Sequence, residues 1–201
     1  MTATMTRADG GRVEVVCGSM FSGKTEELIR RLRRALLGRL RVQVFKPAID
    51  TRYHDTKIVS HSALALEAEV VRDARELLSQ VRADTEVVGV DEAQFFGHDL
   101  VEVVQTLADR GVRVILAGLD QDYLGRPFEP VPQLMAIAEE VTKCHAVCTV
   151  CGGAASRSQR VVDASHSGRI QVGAAESYEA RCRHCFEDPE KATKVIARAA
   201  G

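Results

Sequence analysis

Apolar and polar positions along this chain alternate between the strand period and the helix period. Val13–Cys17 is a short apolar run and reads as a buried strand. Over Thr25–Leu37 the spacing predicts a helix, with Leu28, Ile29, Leu32 and Leu36 on one stripe. Arg30, Arg31, Arg33 and Arg34 cover its other faces, and Gly38 stops it. Arg41–Phe45 alternates and predicts a second strand, closed by Pro47, before a polar loop from Asp50 to about Ser62. Asp73–Val81 predicts a helix, Val87–Val90 a short apolar strand, and Leu100–Ala108 a helix that ends at Gly111. Val112–Ala117 predicts another strand and Gln133–Thr142 a last long helix. Strands alternating with helices imply an α/β fold, a mostly parallel sheet with helices on both faces. Past Lys143 the pattern gives way to Gly-Gly, Ser-rich and short apolar segments. That shift divides the chain into a tail at 1–11, an α/β domain at 12–143, a small module at 144–192 and a C-terminal tail at 193–201. Glu190–Ala199 has the pattern of a short helix.

Composition narrows the classes. The chain has 201 residues, 45% of them hydrophobic, which suits one ordinary domain plus a small module. Lys and Arg total 27 against 28 Asp and Glu, a formal net charge of -1. That balance argues against a general nucleic-acid or membrane-surface binder. The first eleven residues lack the apolar core of a signal peptide. No apolar run approaches the ~18 residues of a membrane helix. A cytoplasmic location is expected.

Chemistry begins at Gly18-Ser19-Met20-Phe21-Ser22-Gly23-Lys24-Thr25, which matches G-x-x-x-x-G-K-[ST] between a predicted strand and a predicted helix. Gly18 and Gly23 permit a tight turn whose amides and helix N-terminus form an anion site. Lys24 reaches terminal phosphates and Thr25 offers a hydroxyl to Mg²⁺, so the segment is a candidate ATP site. Further on, the Val87–Val90 strand runs into Asp91-Glu92-Ala93-Gln94. Asp91 at a buried strand end can hold Mg²⁺ beside the phosphate loop, and Gln94 joins the candidate ATP contacts. Glu92 is a second carboxylate, able to orient a water in an ATPase or to take a proton from a substrate hydroxyl in a kinase.

Six cysteines occur without a secretion signal, so a disulfide framework is not expected. Cys148-x-x-Cys151 and Cys182-x-x-Cys185 lie about thirty residues apart, the pattern of a four-sulfur Zn²⁺ site. Four protein ligands leave no open position, which makes the metal structural. His184, inside the second pair, is an alternative ligand. Cys17 and Cys144 fall outside both pairs and read as small buried hydrophobes.

Taken together, Gly18–Arg31, Lys46–Tyr53, Asp91–Phe96, Gly118–Phe128, Lys143–Gly152 and Val172–Cys185 resemble the zinc-containing (type II) thymidine kinases, in that family's order. The resemblance implies a P-loop domain related to the recombinase-type ATPases, followed by a zinc domain whose long loop, the lasso, closes over the nucleoside. It implies phosphoryl transfer from ATP to thymidine, with Glu92 as the base for the 5′-hydroxyl. It places Asp50 and Arg52 in a loop near the nucleotide phosphates. Met20, Phe95, Leu119, Tyr123 and Phe128 match positions around the thymine, and Val172, Gly173 and Tyr178 match the lasso. It further implies a homotetramer in nucleotide salvage, inhibited by the end-product triphosphate. The chain departs from the family pattern at Tyr123, Ala174 and Cys144. Two other classes fit parts of the sequence. A helicase-like motor would suit the acidic box but needs a second lobe or a ring partner. A non-catalytic zinc module would not need Lys24, Thr25, Asp91 and Glu92.

Overall fold

The computed structural model describes residues 10–48, 66–161 and 177–188, together with the backbone of 57–59 and 65. Elements follow in the order β1 (Arg12–Gly18), α1 (Lys24–Leu37), β2 (Val42–Pro47), β3 (Lys57–Val59), β4 (Ala65–Glu67), β5 (Glu69–Val71) and α2 (Ala74–Gln80). Next come β6 (Val87–Val90), a 3₁₀ turn at Ala93–Phe95, α3 (Asp99–Asp109), β7 (Arg113–Gly118), α4 (Val131–Ile137) and β8 (Glu140–Cys144). Four short strands close the described chain: β9 (Ala146–Val147), β10 (Ala154–Ala155), β11 (Arg157–Arg160) and β12 (Tyr178–Arg181).

Six strands form one sheet in the order β5-β2-β6-β7-β1-β8, and every pairing in it is parallel. The pleat sends alternate residues to opposite faces. Val13, Val15 and Cys17 of β1, with Val114 and Leu116 of β7, face one cluster that also buries Leu77, Leu100, Val104 and Leu134 from α2, α3 and α4. Val16, Ile115 and Ala117 face the other, closed by Leu28, Ile29, Leu32 and Ala35 of α1. Both faces are therefore covered, as the alternating pattern predicts. A Cβ at Gly89 would lie 2.7 Å from Leu32 Cδ1, so glycine on β6 lets α1 seat closely. Leu36 was expected on the inner stripe but is 46% exposed, and Ala35 takes the inward place.

Two further expectations change. The helix predicted over Gln133–Thr142 ends at Ile137, and Glu140–Cys144 joins the sheet as edge strand β8. Leu134, Ile137, Ala138 and Val141 keep a helical spacing, but pairing with the β1 edge draws Glu140–Cys144 into the sheet. The polar loop after Pro47 contains β3, which pairs antiparallel with β4. The predicted helix at Glu190–Ala199 and the N-terminal tail up to residue 9 lie outside the described residues.

Arg31 is not on a solvated face either. It is 7% exposed and meets Glu14, which sits fully buried on β1. Arg31 Nη1 donates to Glu14 Oε2 at 2.8 Å, and Arg113 Nε to Glu14 Oε1 at 2.6 Å. Arg31 also reaches Glu27, Glu140 and Thr142, tying α1 to β1 and β8. Burial pushes the Glu14 carboxyl up, but Arg113 and Arg31 outweigh it and hold it below its usual 4.5. Its stabilising charge is thus fully present above 4.5 and is lost as pH falls through the depressed value. Glu14→Gln keeps the shape and leaves buried Arg31 without this counter-charge. We expect a loss of about 3 kcal/mol, the scale of breaking a buried pair. Urea unfolding at pH 7 checks it, and the gap between variant and wild type should narrow below pH 4.

Candidate active site

The phosphate loop leaves the sheet at the end of β1, between β7 and the edge strand β8. Gly18 has φ 143° and its Cβ position lies 2.3 Å from the Cys144 carbonyl oxygen, so only glycine passes under β8 there. Phe21 (φ 63°) and Gly23 (φ 81°) are also left-handed, which curls the loop before α1 starts at Lys24. Ser22 Oγ and Lys24 Nζ both donate to the Ser19 carbonyl, at 2.7 and 2.8 Å. Burial pulls the Lys24 ammonium below its ordinary pKa, while Glu92 and Asp91 push it back up. Terminal phosphates would push the same way, so anion binding keeps this lysine charged.

The acidic strand end comes to the same place. Thr25 Oγ1 lies 3.4 Å from both carboxylate oxygens of Asp91. Asp91 Oδ1 also accepts the Glu92 N–H at 3.0 Å. Glu92 itself sits at φ 52°, ψ 44°, an uncommon backbone for a residue with a side chain. Its carboxylate is the strongest of the charges acting on Lys24. Gln94, 3% exposed, stands behind it. Its Oε1 accepts the Leu119 N–H at 3.0 Å and its Nε2 donates to Glu92 Oε2.

The candidate nucleoside residues fall into linked contacts. Phe95 and Phe128 meet edge to face, with ring centroids 6.3 Å apart. Leu119 continues directly from β7. The Met20 N–H donates to Ser158 Oγ at 3.0 Å. Arg160 lies over the Tyr123 ring at 5.3 Å and stands opposite Tyr178 in the β11–β12 register. Burial raises the Tyr178 hydroxyl pKa; Arg160 lowers it and Tyr123 raises it further. Asp50, Arg52, Val172, Gly173 and Ala174 lie outside the described residues.

Sequence reasoning missed β11. Arg157 donates to Gln121 and covers the Phe186 ring at 5.0 Å, so three residues of this strand grip the phosphate loop and the segment after β7. No motif marks Arg157, Ser158 or Arg160. Sequence reasoning also missed the ion pair of Asp120 with Lys143, 2.5 Å apart. It spans β1, since Gly118 and Lys143 both register with Cys17. Cys17 is fully buried as expected, and burial pushes its thiol up to about 11, with Asp120 adding to the rise. Cys144 is only partly buried, at the rim of the α1-side cluster.

The four cysteines of the two C-x-x-C pairs converge, their sulfurs all within 4.8 Å of one another. Cys151 Sγ and Cys182 Sγ are 3.7 Å apart. Tetrahedral Zn–S bonds of about 2.3 Å require sulfurs roughly 3.8 Å apart, so the donor set fits zinc. Gly152, at φ 73°, turns the first knuckle, and its N–H bonds the Cys148 carbonyl at 2.9 Å. Amide donors, first that of Cys182, lower the Cys148 thiol to about 6. Cys185 is pushed up to about 12 by its bond to the Cys182 sulfur and by burial. His184 is exposed and does not belong to the cluster.

A phosphate loop on a parallel sheet, an acidic strand end beside it and a four-cysteine module define a P-loop nucleotide-binding protein. The thymidine kinase family model matches residues 11–186. The thymidine kinase of Bdellovibrio bacteriovorus is 58% identical over 177 residues, covering 88% of this chain and 86% of that protein. The thymidine kinase of a Rhodothermus species is 59% identical over 180 residues, covering 89% and 83%. Among solved structures, the Legionella pneumophila ATPase DotB aligns with a TM-score of 0.40 and 14% identity, over 65% of this chain and 35% of that one. The chain belongs to the thymidine kinase family. Among the described residues no helix is long and apolar enough to cross a membrane.

Proposed function

We propose that the chain transfers the γ-phosphoryl group of ATP to the 5′-hydroxyl of thymidine, and of deoxyuridine, giving the 5′-monophosphate and ADP. The observation that carries this reading is Glu92, on a left-handed backbone and the strongest of the charges acting on Lys24, in a member of the thymidine kinase family. The Gly18–Thr25 amides and Lys24 bind the phosphates and offset their charge. Glu92 accepts the 5′-hydroxyl proton as the O5′–Pγ bond forms and the bond from Pγ to the ADP oxygen breaks. Thr25 and Asp91 would hold Mg²⁺, which when bound neutralises phosphate charge. Asp50 and Arg52 would approach the same phosphates. Met20, Phe95, Leu119, Tyr123 and Phe128 would enclose the thymine, with Val172, Gly173 and Tyr178 closing the lasso over it. Cys148, Cys151, Cys182 and Cys185 hold structural Zn²⁺ in this reading. The 12–143 and 144–192 segments then act as a nucleotide domain and a lasso-bearing zinc domain. Family resemblance supports a cytoplasmic homotetramer under feedback by the end-product triphosphate.

A panel of nucleosides with γ-labelled ATP tests this. Thymidine and deoxyuridine should gain label, while ribonucleosides and purine deoxynucleosides should not. Label released only as inorganic phosphate, with no nucleoside product, would favour an ATPase and overturn the proposal.

A further inference from the structure

We infer that Gln94 is a positioning residue for the base, holding one oxygen of Glu92 so that the other is presented to the nucleoside hydroxyl. The inference rests on Glu92 acting as the base, and it gives Gln94 a task other than contacting ATP. Gln94 is 3% exposed, and each end of its amide is hydrogen-bonded. The Leu119 N–H can only donate, so the Gln94 carbonyl oxygen must face it. The amide NH₂ is then directed at Glu92 Oε2, at 2.5 Å. That bond fixes the rotation of a side chain whose backbone already sits in a left-handed turn.

The brace has a second end with its own consequence. Leu119 follows β7 directly and is a candidate thymine neighbour, so Gln94 connects the base to the nucleoside pocket through two hydrogen bonds. A Cβ at Gly118 would stand 3.0 Å from Gln94 Oε1 and 3.3 Å from the Ala93 side chain. Glycine at the end of β7 is what lets the amide reach the Leu119 N–H. Lys24 of the phosphate loop feels Glu92 most strongly among its charged neighbours, then Asp91 on the same turn, with Asp120 beyond β7 also acting on it.

Two substitutions separate positioning from mere packing. Gln94→Glu keeps an acceptor for the Leu119 N–H but replaces the donor with a second carboxyl beside Glu92. At pH 7 the variant should lose about 10- to 100-fold in kcat, the scale of a misplaced reacting group. Raising the pH should not restore it, because two ionised carboxyls repel and no donor braces Glu92. Gln94→Met removes both hydrogen bonds at similar volume. It should lower kcat with little change in the KM for ATP and no recovery at high pH. Thermal melting and ATP titration of both variants report folding separately. If Glu92→Gln retains wild-type turnover, the base assignment fails and this inference with it. If Glu92→Gln is inactive while Gln94→Glu keeps the wild-type kcat, Gln94 alone is overturned. Should Gln94→Glu not fold, an unchanged kcat in folded Gln94→Met overturns it equally.

Discussion

Glu92→Gln is expected to fold, to bind ATP and thymidine, and to transfer phosphate about 10²–10⁴-fold more slowly, the usual worth of a general base. The side chain keeps its size, and Gln can accept the Gln94 hydrogen bond through its own carbonyl oxygen. Only the proton acceptor disappears. The same substitution removes a negative charge from beside the phosphate site. Glu92 is the largest of the charges that raise the Lys24 pKa, so its loss leaves that ammonium governed more by burial. ATP arrives with its own negative charge, however, and finds one repelling carboxylate fewer. ATP affinity should therefore hold or tighten. Single-turnover rates with labelled ATP, beside separate titrations of ATP and thymidine, measure both halves. A turnover number equal to wild type would remove Glu92 as the base, whereas lost binding of both ligands would point to a folding defect.

The parts of this molecule that could be read in advance are those whose physics is local. Gly18–Thr25 is contiguous, and the strand and helix around it carry their own apolar periods. Val87–Val90 was expected with the bounds it has, because four buried residues ending at two acids leave little ambiguity. The two cysteine pairs declare themselves by spacing. What escaped depends on partners distant in sequence. Five residues of β8 hold one exposed valine at 41%, too weak an alternation to overrule the preceding helix. Their strand identity comes from the β1 edge, against which they pair. Arg31 looked like its arginine neighbours on α1 until Glu14, 17 residues earlier on another element, was brought beneath it. Gln94 could be seen to lie near Glu92, but the Leu119 N–H that orients its amide comes 25 residues later. Ser158 reaches Met20 across 138 residues of chain and has no motif to announce it.

Cys182→Ser should release the metal and weaken thymidine binding far more than ATP binding. The core of the small module is made of Ala146, Cys148, Ala155 and Ala180, with Cys182 and Cys185 packed against them. Side chains of that size bury too little apolar surface to offset the entropy of ordering the segment. Zinc bound by four thiolates would supply the missing free energy, on the order of 10 kcal/mol or more in small zinc modules. Cys182 directly follows β12, which pairs along its whole length with β11. Through β11 the module touches the nucleoside side of the site: Ser158 on Met20, Arg160 over Tyr123, Arg157 on Gln121. Loss of the metal should therefore free β12, then β11, then these three contacts in turn. The main framework of Gly18–Thr25 is different, since β1 pairs with β7 and β8 and α1 packs on the sheet independently of the cysteines. The expected result is a metal content near zero by mass spectrometry, a thymidine Kd raised about tenfold or more, in line with losses at supporting residues of metal sites, and a smaller change for ATP. Wild-type protein without stoichiometric metal would refute the zinc site. A variant that has lost its zinc but binds thymidine normally would show that β11 holds the pocket without it.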